Sequence, residues 1–509
     1  MAWSRAFRLM FVWCLHAGIV QAQAIPPIAT ETVSPVMPVE VVDGAGAVLP
    51  VDLPPGVFPL EFFDDFSWRS FIALNWPAKA DLRGVADTAA AIGAAGPRVW
   101  ETWKSAYEIF QPPPASPTSW SGPDAFDAVT PCPGEATAGS GKKRIMASFS
   151  AFGFGDFNQA NMGFFVGPLV GQNRRYVRFE IKVNRKQYEH IVTKQLYKQS
   201  VLDGLTNPAA FPEGAVEVKA AWRQFTPTEE AAGLPNRYYT TRAKLLMPHP
   251  TDPTLNTCEE RLVGLVGFHI VHKTKKRPQW IWSSFEHVDN VPPTFDGPAA
   301  GATYAFNDGQ PPQVLGTAPA PVGPGAFPQN PNPVQVVRQL PIIGEGPANK
   351  FPHNAAHPTT RANQRYRAKL AGTVWENYKL VLTQWPRQTK IDPALPDGDP
   401  ANEDIIGDPF PVGSEDLART DGVSVGNTTM ETYLQTTDCM TCHDLSRDQR
   451  TDFVFFLRLH ALAENDDEVN SRQEFIRGVQ EKLRARINQS NELRNLDVPT
   501  RIQRLTPQN

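Results

Sequence analysis

From Lys143 to about Val291 the sequence period is two, and this period limits the possible fold more than any other feature of the chain. Val177, Phe179, Ile181 and Val183 alternate with Arg178, Glu180 and Lys182, the pattern of a half-buried strand. Val216, Val218, Ala220 and Trp222 alternate with Glu217, Lys219 and Arg223 in the same way, and Tyr239, Thr241, Ala243 and Leu245 continue it. Leu262 to Val271 is apolar on both faces and reads as a central strand. Lys273-Thr-Lys-Lys-Arg-Pro278 then makes a basic turn into Trp280 to Val288, which predicts a hairpin. Val374 to Trp385 alternates again, with Tyr378, Leu380 and Leu382 on one face, and returns to the sheet as a late strand. Such strands, repeated without regular intervening helices, predict an antiparallel sheet or sandwich.

Helical spacing is confined to a few segments. Glu61 to Trp76 carries Phe62, Phe63, Phe66, Phe71, Ile72 and Leu74 and stops at Pro77; Arg98 to Phe110 places Val99, Trp103, Ala106 and Phe110 on one face before Pro112. Thr359 to Lys369 is a third helix. Tryptophan-rich helices of this kind are core elements far more often than cofactor linings. The 49 prolines imply many long surface connections rather than a helix bundle. Residues 292–352 and Asp392 to Ser414 are such connections, rich in Pro, Gly, Ala, Asn and Asp without periodicity. No internal repeat is present, and Gly153-Phe-Gly155 lacks the strand-to-helix setting of a phosphate loop.

Residues 1–24 have the form of a secretory signal peptide. Arg5 and Arg8 are basic, Leu9 to Val20 is apolar but too short to span a bilayer, and Ala22-Gln23-Ala24 offers small residues for cleavage. Bulky Trp13 before Cys14 argues against a lipidation site. Periplasmic or secreted localisation is the expectation, with no membrane span in the mature chain. A net charge of −4 gives no pointer to nucleic acid. An exported chain permits a Cys132–Cys258 disulfide, which sequence alone does not decide.

Cys439-Met-Thr-Cys442-His443 is the attachment spacing of a c-type haem. Two thiols separated by two residues can reach the vinyl groups on one porphyrin edge, and the adjoining His then faces the iron. A dithiol pair, half a zinc site or a structural disulfide are the plainer alternatives. Zinc needs two more Cys or His ligands at comparable spacing, and Cys132 and Cys258 stand singly and far away. The expected cofactor is one covalent haem c held by Cys439, Cys442 and His443, with His443 the metal ligand.

The sixth iron position has no obvious occupant. Small cytochrome c domains close it with a methionine downstream of the motif, and no methionine follows His443. His460 is the one downstream histidine. Upstream, His269 and His272 lie on opposite faces of one predicted strand, so at most one can face the iron. His287 sits in the distinctive Trp280 to Asp289 run; His353 and His357 lie in Pro-rich sequence; Met430 falls in the helix expected from Asn427 to Gln435. An amphipathic helix with Ile476, Val479, Leu483 and Ile487 on one side follows the haem segment.

These segments divide the chain into a signal peptide (1–24), an extended leader (25–60), a β-rich body with long Pro-rich loops (61–425), a haem attachment segment (426–463) and a helical extension (464–509). The fold class is α+β and β-rich: an antiparallel sheet or sandwich body with N-terminal helices and a C-terminal helical, cytochrome c-like segment.

Several stretches together resemble a family of large exported bacterial cytochrome c family proteins with a single C-terminal haem site. They are Ser70 to Pro77, Val99-Trp-Glu-Thr-Trp-Lys104, Val216 to Trp222, Trp280 to Asn290, Thr373 to Tyr378 and Cys439 to His443, spanning roughly residues 60 to 460. The resemblance implies haem binding at Cys439, Cys442 and His443 and says little about substrate. The functional expectation is an exported mono-haem electron carrier serving a periplasmic redox partner. The alternative is a peroxidase- or oxygenase-like haem enzyme with an open sixth position, with His287 or His269 as the distal group. A third reading is a carbohydrate- or protein-binding sandwich with an incidental C-x-x-C-H.

Overall fold

The computed structural model describes residues 32–50, 60–111, 116–121, 144–146, 168–206, 209–248, 256–293, 303–310, 313, 315–316, 332–339, 342, 358–385, 426–433, 435, 439, 443, 446, 451–461, 474, 478 and 481. Within them one eight-stranded sheet organises the molecule. Its strands are β1 (Lys104–Ser105), β2 (Arg144–Met146), β3 (Arg178–Val183), β4 (Val216–Gln224), β5 (Thr240–Pro248), β6 (Asn256–Thr274), β7 (Arg277–His287) and β8 (Tyr378–Gln384). All pairings are antiparallel except β2 with β5. Among the described residues the protein is thus α+β, with one mostly antiparallel sheet.

Strand β6 is the axis of that sheet, as its two-sided apolar sequence predicts. Val263 to His272 pairs with β4 along one edge. On the other edge β5 covers the first part, up to Gly264, and β7 covers Gly267 onward. Strands β5 and β7 therefore lie end to end beside β6. The basic turn is a tight hairpin: Thr274 pairs with Arg277, leaving Lys275 and Lys276 at the tip.

One face of the sheet carries Val218, Ala220, Trp222, Phe268, Ile270, Phe285 and Leu380 and is covered by helix α1 (Leu60–Leu74). Phe71 stacks on Phe285 at 4.4 Å, and Trp68 stacks on Tyr366 of the helix Pro358–Lys369 at 5.3 Å. Each such side chain contributes about 1.5–3 kcal/mol on burial. Two α1 carboxylates are buried but bonded: Thr359 and Thr383 donate to Asp64, and Tyr366 donates to Asp65.

The helix expected over Arg98 to Phe110 is broken. Trp100–Thr102 is one 3-10 turn, Trp103 is extended so that β1 can pair with β3, and Ser105 with Glu108 forms a capping box that starts a new turn over Ala106–Ile109. Helical periodicity there is overridden by strand pairing. Val374 to Asn377 is likewise a 3-10 turn, with β8 beginning at Tyr378. The signal peptide, Cys132, Gly153, Gly155, His353, His357, Cys442 and the apolar stripe after Glu474 lie outside the described residues, as does the side chain of Cys258. No described helix is long and apolar enough to cross a membrane.

Candidate functional site

The other face of the sheet is where the C-terminal segment docks. Residues paired directly across strands share a face, so the register defines three cross-sheet rows. Ala221, Gly267 and Glu286 form one; Lys219, His269, Ser284 and Leu382 form the next; Glu217, Val271, Trp282 and Gln384 form the third. The segment from Asn427 onward meets each of them.

On the first row, Thr428 donates from its backbone N at 3.1 Å and its hydroxyl at 2.8 Å to Glu286 Oε2. Burial alone would raise the Glu286 carboxyl, but the Arg338 and Lys379 charges outweigh it and hold it below its ordinary range. Gly267 leaves space for Thr429: a Cβ built at Gly267 would stand 2.0 Å from Thr429 Oγ1. On the second row, Asn427 Nδ2 donates to Ser284 Oγ at 3.2 Å and to the Phe285 carbonyl at 2.8 Å, while Glu431 Oε2 approaches His269 Nε2 to 3.6 Å. On the third, Gln384 Oε1 accepts from the backbone N of Cys439 at 2.9 Å, and the His443 ring packs on Trp282 with centroids 4.5 Å apart. Asn427 caps a tight turn, with Thr429 N donating to its Oδ1; the helix expected from Asn427 to Gln435 is not formed over 427–433.

His443 is held in one tautomer. Its Nδ1 lies 2.8 Å from the Phe453 carbonyl oxygen, which can only accept, so Nδ1 carries the proton and the lone pair sits on Nε2. Burial takes this imidazole down to about 4, so it is neutral at pH 7. A neutral ring oriented through its Nδ1–H is what metal ligation by histidine requires. The Phe455 ring, at 5.2 Å, closes another side.

Comparison with protein-family models, curated proteins and solved structures gives no match.

The other histidines weighed as iron ligands separate clearly. His287 is not a ligand candidate: its Nε2 donates to the Arg237 carbonyl at 3.0 Å, its Nδ1 accepts from Asp289 N at 3.1 Å, and its ring stacks on Tyr238 at 3.8 Å. Both nitrogens are used, and its place in β7 puts it on the α1 face. The distinctive sequence around it reflects packing. His272 also belongs to that face, against Phe66 at 5.2 Å. His460 donates from Nδ1 to the Phe456 carbonyl at 2.8 Å and stacks on Phe110 at 5.4 Å. Met430 is buried among Phe179, Ala221 and Tyr433.

His269 differs from all of these. Its Nε2 is buried without a hydrogen-bond partner, the 3.6 Å to Glu431 being too long for one. Burial, with Lys219 and His443 adding to it, lowers its imidazole to about 3, so the ring is neutral. Burial raises Glu431 to about 7, partly offset by the bond from Asn427 and the charge of Lys219. The side chains of His269 and Glu431 are 19% and 28% exposed. The orphaned Nε2 and the oriented His443 beside Cys439 fit a haem as the occupant.

Sequence reasoning named His269 and His443 but missed Trp282, Ser284, Gln384 and Glu431. The alternation Trp280, Trp282, Ser284, Glu286 carried the signal, since a row mixing Trp, Ser and Glu faces something other than a uniform apolar core.

Proposed function

We propose that this chain is an exported mono-haem c-type cytochrome that transfers electrons through haem bound at Cys439, Cys442 and His443. The observation that carries this is the neutral, buried His443, its Nδ1 anchored on Phe453 and its Nε2 left as donor, at the end of a C-x-x-C-H motif. When bound, haem supplies a reversible one-electron centre. The chain's own residues do the rest. Gln384 fixes the backbone of Cys439, and Trp282 and Phe455 keep the His443 ring from turning. The sheet shields one side of the site from water, which favours electron exchange over side reactions.

The cytochrome c-like attachment segment, the periplasmic or secreted localisation and a periplasmic redox partner belong to the same proposal. The signal-like N-terminus and the resemblance to exported cytochrome c family proteins support them. A peroxidase-activity stain of a denaturing gel tests the assignment, because thioether-linked haem stays with the polypeptide. Unstained protein from cells equipped for haem ligation would remove it.

The second reading is a haem-dependent oxidoreductase. The carboxyl of Glu431 beside His269 favours it, since such a pair can relay a proton to a small iron ligand. Ready carbon monoxide binding by the reduced protein at neutral pH would favour this reading over electron transfer.

A further inference from the structure

We propose that His269 is the second axial ligand, its Nε2 binding the iron on the side opposite His443. The inference rests on the haem assignment above and adds what the sequence leaves open. A methionine cannot fill the position from downstream, because the last methionine of the chain, Met440, lies inside the motif. Among the described histidines, His287 has both nitrogens engaged, His272 is on the wrong face of the sheet, His190 packs on Phe211 from the helix Arg185–Thr193, and His460 stacks on Phe110 with Nδ1 on the Phe456 carbonyl. His269 occupies the middle row of the face on which His443 docks, between Lys219 and Ser284. The His443 ring packs on Trp282, two residues from Ser284, the β7 partner of His269, so the two histidines belong to adjoining rows of one face.

The state of the ring fits a ligand better than a structural residue. A buried imidazole nitrogen with no hydrogen bond forfeits about 1–3 kcal/mol, and Nε2 of His269 is such a nitrogen. Its neighbour Glu431 stands at 3.6 Å, close enough to orient the ring and too far to satisfy it. Iron coordination to Nε2 removes the deficit, and β6, paired along both edges, holds the histidine rigidly in place.

The experiment compares the haem-loaded full-length protein with its His269→Ala, His460→Ala and Glu431→Gln variants by absorption and electron paramagnetic resonance. Unmodified protein is expected to be six-coordinate, low-spin and bis-histidine, and not to bind carbon monoxide when reduced. His269→Ala is expected to become high-spin, to bind carbon monoxide, and to return to low spin on adding imidazole. His460→Ala and Glu431→Gln are expected to remain low-spin. If His269→Ala fails to fold, the resonance spectrum of the unmodified protein still decides between a bis-histidine set and any other. A high-spin unmodified protein, or a change of ligation in His460→Ala instead, overturns the assignment of His269 while leaving the haem itself in place. Protein carrying no covalent haem overturns both.

Discussion

His443 Nδ1 donates to the carbonyl oxygen of Phe453 across 2.8 Å, and that carbonyl is aimed by an unusual stretch of backbone. Asp452 and Phe453 both have left-handed φ, +53° and +63°, which costs about 1–3 kcal/mol at each non-glycine residue. The conformation is held by a buried set of contacts to the central hairpin. Lys273 Nζ donates to Asp452 Oδ2 at 2.9 Å, Phe211 N donates to the same oxygen at 2.8 Å, and Trp280 Nε1 donates to the Asp452 carbonyl at 3.0 Å.

Removing the Asp452 charge should therefore loosen both the fold and His443. Asp452→Asn tolerates the left-handed φ but strands the Lys273 ammonium in the interior, so a loss of about 3 kcal/mol is expected in urea unfolding. Replacing both residues, as Lys273→Met with Asp452→Asn, should cost less than the single change. A double variant worse than the single one would contradict the ion pair's role.

Docking of the C-terminal segment depends on the missing side chain at Gly267. Gly267→Ala is expected to destabilise by about 1–3 kcal/mol, because the new methyl meets Thr429 Oγ1. Thr429→Ala removes the colliding oxygen and should recover part of that loss, measured as a positive coupling in a double-mutant cycle. Additive effects would show that the two residues do not meet.

Glu217 gives a pH dependence of definite sign. Burial raises its carboxyl from 4.5 to about 7, against the lowering effects of the Gln187 bond at 2.9 Å and of Lys219. The folded state thus prefers the protonated form, and this contribution is complete below about pH 4.5 and lost as pH rises to about 7. Glu217→Gln should match the parent protein near pH 4 and exceed its stability at pH 8 by about 3 kcal/mol. Equal stability at pH 8 would show that the carboxylate is not buried.

His287 separates packing from ligation. His287→Ala removes a stacked ring and leaves the Arg237 carbonyl and Asp289 N without their partner, so a loss of about 2–4 kcal/mol is expected. The absorption spectrum of the haem-loaded protein should be unchanged. A spectral shift would return His287 to the candidate ligands.

Much of the fold was legible because it is local. The tip at Lys275 and Lys276, the axial role of Leu262 to Val271 and the helix at Leu60–Leu74 all follow from periodicity and turn chemistry. The break between Trp103 and Ser105 was not, because pairing of β1 with distant β3 decides it. Charged residues mislead for a related reason. Arg178, Lys182, Lys273 and Glu286 are buried, so both faces of the sheet are covered, and alternation cannot say which face receives what. That is why His269 and His272, three residues apart and equally plausible in sequence, separate only when α1 is seen to cover one and the C-terminal segment the other.

The most direct test of the account is the mass and absorption spectrum, under denaturing conditions, of the protein purified from cells that carry haem-ligation machinery. The account predicts a chain heavier by one haem, with a Soret band that survives denaturation and disappears in Cys439→Ser/Cys442→Ser. A colourless protein with the mass of the polypeptide alone would contradict it.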